Sequence, residues 1–217
     1  MTSTSSTGIL RAGAAQVDIT PPLGTQLAGD IGRHRPAEWI RDPIHAHALA
    51  LELGDRRLCL LSLDCAPALR SGYDQVRNTA AERFGLEAEA VMVHCTQNHA
   101  APGLGHYMIS EDCDLVPDDM PWLRGADDRF IPVLHERIQE AIARAWEALQ
   151  PVSLVLSAGV DARVAFNRRF VMRDGSAQMG ASGDSRWNVL HAEGPTDPEV
   201  GVAAFQAQSG DTVAMLL

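Results

Sequence analysis

The chain has 217 residues, enough for one domain with a core of its own, and its 46% hydrophobic and 21% charged residues give a globular composition. A formal charge of −10 argues against a partner presenting a phosphate backbone, because nucleic-acid binders concentrate Lys and Arg on one face. No apolar run approaches the roughly 20 residues that span a bilayer, and the polar start MTSTSSTGILRAG lacks both the charged and the apolar regions of a secretory signal.

Residues 1–7 read as a flexible tail. Residues 8–19 alternate as a strand that stops at Thr20, Pro21 and Pro22, since two prolines cannot continue a ladder. The irregular stretch from Gln26 to Arg41 gathers Arg33, His34, Arg35, Trp39 and Arg41 in an otherwise acidic chain. It is a candidate binding loop for an anionic or polar substrate end, with Arg33 and His34 as the contacting residues. Residues 43–53 and 57–63 read as a hairpin around Gly54-Asp55, and Asp64 follows the second strand as either a cap or a substrate-binding group. Ser71 to Phe84 has helical spacing and a stop at Gly85, and it leads into a strand at Val91, so the two flanking strands are expected to pair in parallel.

The stretch VMVHCTQNHAAPGLG, Val91 to Gly105, begins as a buried strand. It then breaks into a polar turn carrying His94, Cys95, Thr96, Gln97, Asn98 and His99. Open α/β sheets place their sites at such strand ends. Cys59 and Cys65 sit in or beside an apolar run and read as small hydrophobes, whereas Cys95 is a candidate nucleophile, a role that needs a lowered pKa. The four cysteines form no CxxC pair, which suits free thiols and a cytoplasmic location.

Residues 104–128 are aperiodic and acidic, and are expected to form a lid or long loop. Residues 129–149 carry the best amphipathic helix, ended by Pro151, and 152–160 follow as a strand. Residues 175–195 read as loop, and the runs 200–205 and 212–217 as a hairpin. The expected fold class is α/β, a mixed, partly parallel sheet flanked by helices. It is read as one domain over 1–217 that stops mid-strand, as the N-terminal part of a larger catalytic domain does.

Six segments in order, GAAQVDITPPLG (13–24), RDPIHAHALAL (41–51), LLSLD (60–64), CTQNHAAPG (95–103), FNRR (166–169) and DPEVGVAAF (197–205), resemble the N-terminal catalytic domain of the neutral/alkaline non-lysosomal ceramidases and their bacterial relatives. The resemblance implies a zinc-dependent hydrolase of an amide bond, in which zinc activates water and polarises the carbonyl. It places His99 and Gln97 at the metal, with Gln97 standing where the family has its first His. It places Asn167 and Arg168 at the substrate, the Arg as a donor to developing oxyanion charge. The remaining ligands of the family lie in later sequence, so a further segment or chain would complete the site. The expected substrate is a small polar amide.

Two other readings follow from the residues. Gln97 and the lost Ser-Gly of the turn suit a non-catalytic relative that binds without turnover. A cysteine hydrolase would use Cys95 with His94 or His99 as base, although neighbours on a strand face opposite ways.

Overall fold

The computed structural model describes residues 8–30, 32–110 and 112–217, and the expected 1–7 tail lies outside them. The alternating sequence near the N-terminus becomes three antiparallel neighbours, β1 (Arg11–Asp18), β2 (His45–Leu53) and β3 (Arg56–Leu63). β2 is laddered on both sides, with His47 opposite Gln16 on β1 and opposite Ser62 on β3. α1 (Arg70–Phe84) then crosses over to β4 (Val91–Cys95), which pairs with β3 in parallel from Cys59↔Val91 to Leu63↔Cys95. Gly85 ends α1 in the left-handed region at φ 62°, where its lack of a Cβ removes the steric cost, and its N–H bonds the Ala81 carbonyl.

α2 (Ile131–Glu147) carries a Pro in its first turn and a fully buried stripe of Leu134, Ile138, Ala141, Ile142 and Ala145. It packs on β1 and β2, while α1 packs on α2 and β4. Period-2 alternation sorts the strand residues into two clusters. Val17, Ala46, Ala48, Ala50, Cys59, Leu61, Leu63 and Val91 meet the helices, and Ala12, Leu49, Val152 and Phe205 form a smaller core with Leu51 and Leu60 packed against it. Two side-chain bonds tie the helix layer together. Gln139 donates to the Val76 carbonyl at 3.2 Å, and His135 Nε2 donates to the Leu104 carbonyl at 2.9 Å. Burial lowers the His135 pKa, because the charged imidazolium loses more solvation than the neutral ring.

The mixed, partly parallel α/β sheet expected from the sequence is present, with strand order β10-β9-β5-β1-β2-β3-β4. Its last members are β5 (Gln150–Val160), β9 (Glu199–Ala207) and β10 (Thr212–Leu216), the last two forming the expected hairpin. The chain divides into two compact units: residues up to Ser153 together with Phe205–Ala214, and Leu154–Ala204 together with Met215–Leu217. Taken by itself, the second unit holds a three-stranded antiparallel sheet of β6 (Arg169–Met172) between β7 (Ala177–Met179) and β8 (Val189–Ala192).

Two expectations are corrected. The helix ends at Glu147 rather than at Pro151, which lies inside β5 opposite Arg11. The N–H that Pro lacks is not needed there, because it is Val152 that donates to the Leu10 carbonyl, at 2.9 Å. The 175–195 stretch is not all loop: it holds β7, β8 and a 3-10 turn at Gly183–Asn188. Strands of three or four residues are too short to show alternation, and here pairing to β6 overrides a turn-rich composition. Residues 104–128 carry only the 3-10 turn Pro121–Arg124 among the described residues.

Two outcomes are expected. A Cβ at Gly13 would stand 2.1 Å from the Ala145 carbonyl oxygen and 2.7 Å from the Leu149 nitrogen, so Gly13→Ala should lower the unfolding free energy by about 1–3 kcal/mol in urea titration. His135 binds protons more weakly folded than unfolded. Its contribution is therefore complete above the unfolded pKa of about 6.5 and is lost as pH falls below it. His135→Gln, which keeps a donor for Leu104, should flatten the fall in urea midpoint between pH 7.5 and 5.5.

Candidate metal centre

The sheet edge where β3 and β4 end carries the candidate site. In β2, residues two apart face the same way, so His45 and His47 share a face with Leu49 and Leu51, away from the helices. On β3 the matching face holds Leu58, Leu60, Ser62 and, one residue past the end of the strand, Asp64. The Asp64 N–H donates to the His45 carbonyl at 3.0 Å, and the His45 N–H donates back to Asp64 Oδ2 at 3.1 Å. These reciprocal bonds place the carboxylate beside both imidazoles. One ligand atom from each of His45, His47 and Asp64 lies within 4.8 Å of the others, and His47 Nε2 stands 3.9 Å from Asp64 Oδ2. The two rings are tilted 56° with centroids 5.9 Å apart.

Two donors about 2.1 Å from one tetrahedral ion stand about 3.4 Å apart. Small side-chain rotations therefore convert the present separations into a ligand set. Two imidazoles and one carboxylate suit zinc or another first-row ion and leave coordination positions open. The backbone provides the orientation, because the His45 amide fixes the Asp64 oxygen nearest to His47. His94 and Thr96 share the strand face of this group, since Val91, Val93 and Cys95 turn toward the helices. His94 pairs with Ser62 in register, and Ser62 pairs with His47, so a row of His47, Ser62 and His94 crosses three strands.

Sequence reasoning did not single out His45 and His47. The signal was the His-x-His spacing on an alternating strand, opposite a strand that ends in Asp. Asp64, expected at the substrate, stands in this group of three. Gln97 and His99 follow on the exposed turn, where Thr96 N–H bonds the Leu63 carbonyl at 2.9 Å and Asn98 Oδ1 accepts the Ala100 N–H at 2.9 Å. Gln97 has φ 59°, a left-handed conformation that a residue bearing a Cβ rarely adopts. His99 lies over Gly29, where a Cβ would meet its ring at 2.6 Å, and the His99 carbonyl accepts from Arg35.

The basic loop contributes differently from its composition. Arg35 does the joining: it donates to the Ala28 carbonyl at 2.6 Å and pairs with Asp30 at 2.9 Å. Arg33 is exposed, 3.8 Å from Asp30. His34 leans on Trp122 at 5.6 Å, in the wall of a cleft of about 560 Å³ shared with Gln26, Asp119, Asp127 and Arg129. Arg129 grips Asp127 at 2.7 Å and, aided by the Gln26 N–H, holds that carboxyl below its usual range.

Asn167 and Arg168 belong to the second unit. Asn167 Oδ1 accepts the Arg169 N–H at 2.9 Å and its Nδ2 donates to the Gly194 carbonyl at 3.2 Å. Arg168 is exposed, its carbonyl accepting the Gly180 N–H at 2.8 Å.

Cys95 meets a thiol rather than a base. The Cys65 thiol donates to its sulfur over 3.6 Å, with Tyr73 as a second partner, and this lowers the Cys95 pKa. The same bond, together with burial, raises that of Cys65, and burial pushes Cys59 up to about 12. Among the described residues no imidazole bonds Cys95, so the thiol–imidazole pair that cysteine hydrolysis needs is not formed.

No protein-family profile and no curated protein matches the chain. Among solved structures it is similar to a neutral ceramidase from Pseudomonas aeruginosa, with a TM-score of 0.68 and 19% identity over 96% of this chain and 31% of that one. It is also similar to a ceramidase complexed with C2, with a TM-score of 0.66 and 20% identity over 94% of this chain and 30% of that one. The chain thus has a ceramidase-like fold and spans under a third of these structures. No helix among the described residues is long and apolar enough to cross a membrane.

The Gln97 backbone gives one testable outcome. A β-branched side chain is least tolerant of positive φ, so Gln97→Val should unfold at lower urea than Gln97→Gly, by about 1–2 kcal/mol.

Proposed function

We propose that this chain supplies the metal-binding face of a metal-dependent amide hydrolase, ceramidase-like in fold, that acts on a small polar amide or N-acyl substrate. The observation that carries the reading is the convergence of His45, His47 and Asp64 within 4.8 Å at the sheet edge, on a fold whose solved neighbours are ceramidases. Zinc suits the donor set, and the chemistry it supplies in such surroundings is acidification of water to a pKa of about 7 and polarisation of a carbonyl.

The chain's own residues divide the remaining work. His45 and His47 would hold the ion through neutral imidazole nitrogens. Asp64 adds the negative charge, oriented by the His45 amide. His94, on the same strand face, is the proton carrier, as an imidazole can both take and return a proton. The Gln97–His99 turn borders the substrate, and Arg168 with Asn167 keeps the oxyanion-facing role that the family resemblance gives it. A further segment completes the catalytic domain, as the coverage of about 31% of the neighbour suggests. Four free cysteines support a reducing, cytoplasmic setting.

Gln97 favours one competing reading, a binding module that keeps the fold without turnover, because the amide is a poor substitute for the imidazole of the family turn. Titration of the chelator-stripped 217-residue chain with Co²⁺ separates the two. One equivalent should bind, with affinity at least tenfold lower in His47→Ala and Asp64→Asn and unchanged in His99→Ala, and a metal-loaded protein that also carries the further segment should turn over a fluorogenic N-acyl amide. Loss of binding in His99→Ala alone would move the metal to the turn. No binding by the unaltered chain would leave the binding-module reading.

A further inference from the structure

We propose that Cys65 and Cys95 are a site of reversible oxidative modification, an intramolecular disulfide that clamps the two strand ends bearing the candidate metal face. The sulfurs lie 3.6 Å apart across 30 residues of sequence. A disulfide holds its sulfurs about 2.05 Å apart, so closure needs each to move by under an ångström, a shift shared by the side chains and the backbone at Cys65. The parallel register sets Leu63 opposite Cys95, and both thiols belong to the helix-side core. The other two cysteines are poorly placed to compete. Cys59 pairs at Val91, four residues down the ladder and so roughly 13 Å away along it, and Cys113 lies in the 104–128 loop.

Exposure assigns the order of events. Cys65 is fully buried, whereas Cys95 is partly exposed beside the polar turn. A small disulfide such as oxidised glutathione therefore meets Cys95 first. The Cys95 sulfur gives its proton to solvent and attacks one sulfur of the oxidant, breaking that S–S bond and releasing one glutathione thiol. The Cys65 sulfur, giving up its own proton, then attacks the Cys95 sulfur of the mixed disulfide and expels the second glutathione thiol. Two thiols of the protein are oxidised, and the oxidant takes up the two electrons and two protons.

The effect on the site rests on the metal reading above. Cys65 follows Asp64 directly, and Asp64 is joined to β2 through its paired bonds with His45. Drawing Cys65 toward β4 pulls Asp64 away from His45 and opens the three-residue group, so the oxidised form should bind metal more weakly.

The test uses the 217-residue chain with Cys113→Ser, equilibrated with oxidised glutathione. Peptide mapping should find Cys65 joined to Cys95 with the loss of two hydrogens. The His45 amide resonance should shift, Co²⁺ affinity should fall at least tenfold, and dithiothreitol should reverse all three. In Cys65→Ala the glutathione should remain on Cys95. A stable mixed disulfide on Cys95 with Cys65 present, a link to Cys59, no reaction, or an unmoved His45 amide would each overturn the proposal, as would unchanged Co²⁺ affinity in an oxidised protein that binds the ion when reduced. If the reduced protein binds no Co²⁺, the metal reading fails by itself, and the mapped disulfide with the His45 resonance still decides the thiol pair.

Discussion

The parallel pairing of β3 with β4 is the constraint on which the rest depends. With Leu63 opposite Cys95, alternation sends Cys65 and Cys95 into the helix-side core and Asp64 and Thr96 to the opposite face. One ladder therefore builds two chemically different layers, a thiol pair below and a polar, ligand-bearing face above. The antiparallel register of β2 with β3 adds His45 and His47 to that face. A slip of one residue in either ladder would exchange the layers, burying imidazoles among Ala46, Ala48 and Leu61. The crossover through α1 fixes the parallel sense, and the buried contacts of α1 and α2 fix the register.

Much of the fold was legible because its signals are local. Alternation over 45–63, the Gly54 turn, the Gly85 stop and the buried stripe of 129–149 each follow from side-chain period or backbone freedom, and the elements lie where those signals place them. What failed to show was short or non-local. β7 and β8 exist because β6 offers them partners, and no window of three or four residues records that. The candidate site divided along the same line. Asp64 and the 94–99 turn stood out as polar residues at strand ends. The two imidazoles of β2 were hidden in a regular strand, where polar residues at every second position look like an ordinary solvated face. Only the pairing of β2 with β3 reveals that Asp64 lies beside them, and pairing is what a single strand's sequence does not state.

The comparison with solved ceramidases separates fold from chemistry. A TM-score of 0.68 at 19% identity means that the backbone path has been kept while most side chains have changed. The turn after β4 carries Gln97 in a left-handed conformation, a backbone shape rarely adopted outside glycine. The donors gathered on this chain lie one and two strands further in, at the end of β3 and on β2. The site must be argued from those donors, because the shared path places a turn but not the groups on it.

The position of β2 inside the sheet bears on which ions the chain would accept. Two of the three donors are fixed to a strand laddered on both sides, and the distance between their Cα atoms is set by strand rise at about 6.8 Å. Such a bite does not widen for a guest. Calcium, which asks for six to eight oxygens in a pliable cage, finds a stiff pair of nitrogens, whereas small first-row ions with a taste for imidazole find spacing that needs no backbone movement. Ion choice at this edge is thus delegated to the hydrogen-bond ladder, and mutations that loosen β1 or β3 would broaden it without touching a ligand.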